Sequence, residues 1–215
     1  VDDDPVPRVY AEYEAYGQTR QAIAQMVLAA GRDRPFLLFV SYGIPHSPYE
    51  PPPEFDTHLP SEVVVRPNVP AEYKPAARAS LAKYYGMIEA LDYCIGKLLG
   101  TLELLGIAED TIVVLYSDHG DLHFSHFVPN SVVVGSKKRV IYEEAVRVPL
   151  YVRYPARVPA QRPSDTLVGT IDVLPTLLGL ADIPVPEDLT GIDFSPVLRG
   201  ESQERPSSVY CGMVE

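Results

Sequence analysis

Apolar residues along this chain repeat with helical spacing in some stretches and run without interruption in others. Within residues 12–30, Ile23, Met26, Val27 and Ala30 fall on one helical face and Gly31 follows, which predicts an amphipathic helix with a glycine stop. Residues 36–42, after Pro35, form a continuous apolar run of strand length. A run without alternation predicts a strand covered on both faces. The longest periodic stretch is 77–105. There Leu81, Tyr84, Ile88, Leu91, Ile95, Leu98, Leu102 and Leu105 recur at three- and four-residue steps until Gly106 ends the pattern. A second strand is expected over 111–116, a short helix over 141–147 and a third strand over 149–154. Another short helix is expected over 171–181, with Asp172 and Pro175 in its opening turns. Helices alternating with doubly buried strands predict an α/β sandwich, with a mostly parallel sheet and helices on both faces. No internal repeat interrupts it. The prolines at 155–163 could mark a boundary, but strand signals on both sides favour one domain over 1–215.

Two stretches do not fit this scaffold. Residues 45–76 are a proline-rich excursion, too long for a simple connection, and residues 121–137 form a second long loop. Proline, at 22 of 215 residues, is about twice its usual share, which predicts long, stiffened loops over a regular framework. A chain of this length buries roughly 70% of its unfolded surface, so it needs no staples. The formal charge of −11 argues against a nucleic-acid partner, which needs a basic stripe to displace phosphate counterions. It leaves an anionic small substrate open, because a few local cations can dominate a site. No apolar run reaches the roughly 18 residues of a membrane span. The two cysteines, Cys94 and Cys211, match no metal or redox spacing. Cys94 sits on a helical apolar face and is expected to be buried rather than in a disulfide. The chain opens Val1-Asp2-Asp3-Asp4, with no signal-peptide pattern, and closes inside what reads as an ordered segment. A processed or partial chain is therefore expected.

In open α/β sheets, ligands gather beyond the carboxyl ends of strands. Two polar clusters fall there: Pro45-His46-Ser47 and Asp118-His119-Gly120-Asp121. An aspartate followed directly by a histidine can offer carboxylate oxygen and imidazole nitrogen to one ion, and Gly120 allows a sharp turn. Oxygen donors suit Ca²⁺ or Mg²⁺, and the imidazole also admits Mn²⁺ or Zn²⁺. Plainer readings stand beside these: an Asx-type turn with a solvated histidine, a loop histidine at His46, and a solvated cluster at Lys137-Lys138-Arg139. That last cluster is nonetheless the densest group of cations in an acidic chain.

Four stretches together resemble the sulfatase family of the alkaline-phosphatase superfamily. They are residues 34–49 leading through Ile44-Pro45-His46; Arg66-Pro67-Asn68-Val69-Pro70 with the helix from Tyr84 to Asp92; Val114-Leu115-Tyr116-Ser117-Asp118-His119-Gly120-Asp121; and Lys138 to Pro155, followed by Asp172-Val173-Leu174-Pro175. They fall in family order and cover nearly the whole chain. The resemblance implies an alkaline-phosphatase-like sandwich and a sulfuric ester hydrolase. It implies that Asp118 and His119 are two ligands of a divalent cation, usually Ca²⁺, with Mg²⁺ or Mn²⁺ as alternatives. It implies that His46 contacts the sulfate or its leaving oxygen, and that Lys138, four residues before Tyr142-Glu143, binds a sulfate oxygen. Lys137 is the competing register for Lys138. His126 falls where many relatives also carry a histidine, without an assigned role. A cation with lysine and imidazole donors would stabilise the negative charge of sulfuryl transfer.

Some of the family pattern is missing. The nucleophile of these enzymes is a formylglycine made from Cys or Ser in a Cys/Ser-x-Pro/Ala-x-Arg motif, and neither Cys94 nor Cys211 sits in one. The family's Asp-Asp metal pair and Gly-Lys-x-His segment are also missing. The resemblance thus implies a central and C-terminal part of the catalytic domain, with the formylglycine upstream and the 215 residues alone inactive. Two other readings remain: a phosphodiesterase or phosphonate monoester hydrolase of the same superfamily, and a non-catalytic sulfatase-like binding module. The expected partner is a sulfated small molecule or carbohydrate, with export by family analogy; the leaving group and oligomeric state stay open.

Overall fold

The computed structural model describes residues 12–126, 140–160, 164–203 and 206–211. They fall into two compact units. One runs to Ile107 and includes His123–Ser125. The other holds Ala108–Leu122 and the residues from His126 onward.

The first unit is built on two helices, α1 (Glu14–Ala30) and α2 (Lys74–Leu104). Glu14 lies in the first turn of α1, where a carboxylate suits the positive end of the helix dipole. Pro75 stands in the first turn of α2, where a missing N–H costs nothing. Gly106 ends α2 in the left-handed region at φ 69, with Gly106 N donating to Glu103 O and Ile107 N to Leu102 O. That pair of bonds satisfies the last carbonyls of the helix, and only glycine adopts the turn without strain. The buried face of α2 keeps Leu81 and Leu102 of the expected stripe but is otherwise lined by smaller residues. Its deepest positions are Ala77, Gly86, Met87, Ala90 and Cys94, whereas Ile88 is 38% exposed. Small residues win because neighbouring backbone comes close. A Cβ at Gly86 would stand 2.3 Å from the Phe55 carbonyl oxygen. Ala15, Ile44, Met87, Ala90 and Cys94 form the core, flanked by Tyr13, Tyr16, Tyr42, Tyr49, Phe55 and Leu91. Cys94 is buried and free, as expected, and Cys211 is exposed and free. Burial pushes the Cys94 thiol pKa up.

Residues 36–42 do not form the doubly covered strand predicted for them. They take no regular element and join no strand ladder among the described residues; Ser41 O accepts Gln18 Nε2 and Tyr42 bonds Thr19, while Leu37 and Phe39 are 91% and 74% exposed. An apolar run becomes a strand only when neighbours supply a ladder and covering faces.

Among the described residues the second unit contains one sheet pair, β1 (Val113–Tyr116) and β2 (Leu150–Arg153). Their register pairs Val113 with Arg153 and Tyr116 with Leu150. This ladder is antiparallel, so the parallel pairing expected from the alternation of elements is not among the described residues. Short helices α3 (Glu143–Val146), α4 (Val173–Leu180) and α5 (Ser195–Leu198) complete the unit. Asp172, buried before α4, accepts Gly169 N and Ile192 N, each at 2.7 Å. Thr176 Oγ1 accepts Phe194 N at 3.0 Å. These bonds make Asp172 and Thr176 anchors of the 191–195 turn, because buried polar groups are retained where they are satisfied.

Candidate functional site

β1 delivers the chain to Ser117-Asp118-His119-Gly120. The turn is held by local bonds. Ser117 Oγ donates to His119 O at 2.9 Å, and His119 N donates to Asp118 Oδ1 at 2.9 Å. His119 Nδ1 lies 2.9 Å from the Gly120 carbonyl oxygen. A carbonyl only accepts, so Nδ1 carries the hydrogen and the neutral ring presents its lone pair at Nε2. Asp118 is 82% exposed at its side chain, and its Oδ2 stands 3.4 Å from His119 Nε2. Two donors at that separation, each about 2.4 Å from one ion, subtend roughly 90° at it. The donor set thus fits a hard divalent cation. Among the described residues no group of three or more His, Cys, Asp or Glu gathers at one point. Two ligands alone hold such an ion weakly, since Ca²⁺ takes about 6–8.

Gly120 has a different role from the one read in the sequence. Its φ is not in the left-handed region. What requires glycine is close approach: a Cβ would lie 2.0 Å from the Glu144 carbonyl oxygen, and Gly120 N donates to Ala145 O at 2.8 Å. The α3 segment is therefore docked on the turn that presents Asp118 and His119. The same segment carries Tyr142 and Glu144. His126 stacks on the Tyr142 ring with centroids 3.9 Å apart, and its Nε2 lies 3.1 Å from Glu144 Oε2.

His46, in the first unit, is exposed, with Nδ1 2.6 Å from the Ser47 carbonyl oxygen. The flanking Ile44–Pro45 and Ser47–Pro48 peptides are both cis. Lys138, its alternative Lys137, and Arg139 lie outside the described residues. The structure thus brings Asp118 and His119 together in the second unit and holds His46 in the first. His123 was not singled out by the sequence. In the first unit its ring meets Tyr84 edge-on at 4.4 Å and Tyr49 at 5.6 Å. His123, Phe124 and His126 all have positive φ, at 42, 66 and 56. Such strain in non-glycine residues gathers at functional loops. No sequence signal announces it, because none of the three is glycine or asparagine.

Among the described residues no helix is long and apolar enough to cross a membrane. Against known proteins, the family described as Sulfatase matches residues 9–183. The chain is similar to an ulvan-active sulfatase of Formosa agariphila, at 32% identity over 206 residues, covering 94% of this chain and 39% of that protein. It therefore spans about two-fifths of the length of that relative. Its structure is similar to that of yidJ from Bacteroides fragilis, with a TM-score of 0.80 at 25% identity, over 90% of this chain and 43% of the other. The phosphonate monoester hydrolase of Agrobacterium radiobacter gives a TM-score of 0.76 at 23% identity, over 93% and 45%. That second likeness shows a shared fold. The expected α/β architecture is thereby met as a partial domain of the alkaline-phosphatase-like fold. A family match over most of the length, with a relative at 32% identity over 94% of this chain, leads to one conclusion: this chain belongs to the sulfatase family.

Proposed function

We propose that the full-length protein hydrolyses a sulfate ester, with residues 1–215 forming part of one catalytic domain. The observation that supports this most is the Asp118–His119 donor pair on the β1 exit in a chain of the sulfatase family. In this reading Asp118 Oδ2 and His119 Nε2 would hold Ca²⁺, or Mg²⁺ or Mn²⁺, and the ion would supply positive charge to the sulfate oxygens. The His119 amide on Asp118 Oδ1 and the Gly120 carbonyl on His119 Nδ1 orient both donors before any ion arrives. His46 is assigned to the sulfate or its leaving oxygen and Lys138 to a sulfate oxygen. A histidine can donate a hydrogen to a departing alkoxide, and a lysine gives a point charge to an anionic oxygen. The nucleophile is a formylglycine contributed by the rest of the protein. The substrate class is a sulfated carbohydrate, in keeping with a relative named for ulvan, and by analogy with the family the protein is exported.

The test is paired turnover by the full-length protein. It should cleave p-nitrophenyl sulfate in preference to p-nitrophenyl phosphate and to a phenyl phosphonate monoester, and release sulfate from a sulfated oligosaccharide. A preference for the phosphorus esters would favour the phosphonate hydrolase reading instead. Saturable binding of the sulfated oligosaccharide without sulfate release would favour a binding module.

A further inference from the structure

A cleft in the first unit has no part in the reaction as drawn above. It lies between α1, α2 and the single turn Pro53–Phe55 and holds about 510 Å³. Ligand sites are typically about 300–1,000 Å³, so a sugar ring has room there. None of His46, Asp118 and His119 lines it. Three aromatic rings do. Tyr16 and Tyr93 meet edge to face, with centroids 6.1 Å apart and planes at 69°. Phe55 tilts against Tyr93 at 5.9 Å and 51°. Tyr93 nonetheless remains 48% exposed, so part of its surface is open. The polar groups around the rings are held in place. Tyr16 Oη donates to Glu54 Oε1 at 2.5 Å. Arg20 Nε and Nη2 donate to Glu12 Oε1 at 3.1 and 2.6 Å. In each carboxylate the other oxygen can still accept a hydrogen. Lys97 stands outside this pairing. Its Nζ is 4.9 Å from the centre of the Tyr93 ring, and no carboxylate among the described residues forms a salt bridge with it.

We propose that this cleft binds a sulfated pyranose unit of the carbohydrate, with the C–H face of the sugar on the Tyr16 and Tyr93 rings and its sulfate on Lys97. The inference rests on the sulfatase reading above and adds a binding site that shares no residue with the reaction. A pyranose has an apolar C–H face and a rim of hydroxyls. Aromatic rings offer a negative face to C–H hydrogens. Glu12 and Glu54 accept from hydroxyls, and Arg20 has further N–H groups to donate. Lysine is a compact positive charge suited to a sulfate oxygen. Glu12 is neutralised by Arg20, while Glu54 keeps its charge and turns the sulfate toward Lys97. A plain sugar would leave Lys97 unused, and a bare sulfate ion would leave the rings unused. The combination therefore selects a sugar sulfate. Because existing bonds already hold Tyr16 and Arg20, little ordering is lost when the ligand binds.

The experiment is calorimetric titration of the full-length protein carrying Asp118→Asn, so that the probe is not consumed. The probes are a sulfated dextran tetrasaccharide, the same tetrasaccharide without sulfate, and inorganic sulfate. The sulfated sugar should bind more tightly than either of the others. Adding Tyr93→Ala should weaken it by about 10-fold or more, as loss of an aromatic anchor does. Adding Lys97→Met should weaken it by about 2–5-fold, the worth of one partly exposed ion pair, and should erase the preference for sulfate. Lys97→Arg keeps the charge and should keep that preference. Lys97 points its charge to the cleft rather than into the core, so its variants should unfold at the wild-type midpoint, and they decide the matter if Tyr93→Ala fails to fold. Binding undiminished by Lys97→Met would overturn the proposal. So would inorganic sulfate binding as tightly as the sulfated sugar, or no binding of the sulfated sugar at all. Turnover of p-nitrophenyl sulfate by the wild type is read separately. Its absence would overturn the sulfatase reading, while the Lys97 titrations would still decide the cleft.

Discussion

Replacing Gly120 with alanine strikes the contact on which the site rests. A Cβ there would stand 2.0 Å from the Glu144 carbonyl oxygen, 3.0 Å from its carbonyl carbon and 3.4 Å from Ala145 Cα. Ordinary contact begins near 3.4 Å, so the turn and the α3 segment must part by about 1.4 Å. Backbone faces backbone, so no side chain can swing away to absorb the strain. The 2.8 Å bond from Gly120 N to Ala145 O breaks with that movement. Overpacking costs about 1–3 kcal/mol and an unsatisfied partly buried donor another 1–3, so the expected loss is on the order of 2–6 kcal/mol. That is a large part of a typical stability of about 5–15 kcal/mol. Urea unfolding of the full-length protein reads it as a lower midpoint at unchanged slope. Gly96→Ala is the control. It lies inside α2 with nothing within 4 Å of an added Cβ, so it should stabilise by about 0.5–1 kcal/mol. Opposite signs at the two glycines are the signature of close approach. A Gly120→Ala protein as stable as wild type, or both variants shifting the same way, would refute the reasoning.

Two further outcomes follow from the first unit. Thr19 Oγ1 donates to Ala15 O at 2.7 Å, so the 2.7 Å bond to Tyr42 is donated by the tyrosine hydroxyl. Thr19→Val leaves that half-buried hydroxyl without its acceptor, at about 1–3 kcal/mol, and Thr19→Val/Tyr42→Phe should recover most of the loss in chemical denaturation. Tyr16 donates to Glu54 Oε1 at 2.5 Å; burial first, and then this bond, pushes its pKa well above the ordinary value near 10. The folded state then holds a proton that the unfolded state releases. Stability is complete below about pH 10 and falls as pH rises above it, with a shallower fall in Tyr16→Phe. The same bond holds the Glu54 carboxyl below its ordinary range, so its contribution is lost as pH falls through the acid range. Thermal melts from pH 3 to 11 check both limbs, and Tyr16→Phe curves identical to wild type would count against the pairing.

How far the sequence led depended on how local each feature is. The limits of α2 were legible because Pro75 and Gly106 act on their own backbone. β1, β2 and α4 were legible from short apolar runs of the right length. Residues 36–42 were not, because hydrophobicity alone does not supply a ladder. On α2 the periodicity found the buried Leu81 and Leu102 but not the small residues between them. Periodicity shows which positions share a face, while Gly86 is buried for a backbone approach that only three dimensions reveal. The placement of Asp118 and His119 on one turn at the exit of β1 was readable because they are adjacent in sequence and follow a strand. The His126–Glu144 pair, separated by 18 residues, and the seat of α3 on Gly120 had no comparable signal. Gly120 was singled out correctly, but as a sharp turn rather than as a space kept clear for a neighbouring carbonyl.

The central claim is that Asp118 and His119 are paired ligands of a divalent cation that sulfate-ester cleavage requires. The direct measurement is calorimetric titration of metal-free full-length protein with Ca²⁺, alongside Asp118→Asn and His119→Ala, with aryl sulfatase activity followed in the same samples. The wild type should bind one ion and regain activity in step with occupancy. At about 100 times the dissociation constant it should also gain roughly 2.7 kcal/mol of stability. Both variants should lose the binding, the activity and that stabilisation together. Undiminished Ca²⁺ binding in both variants, or full activity in metal-free wild type, would contradict the account.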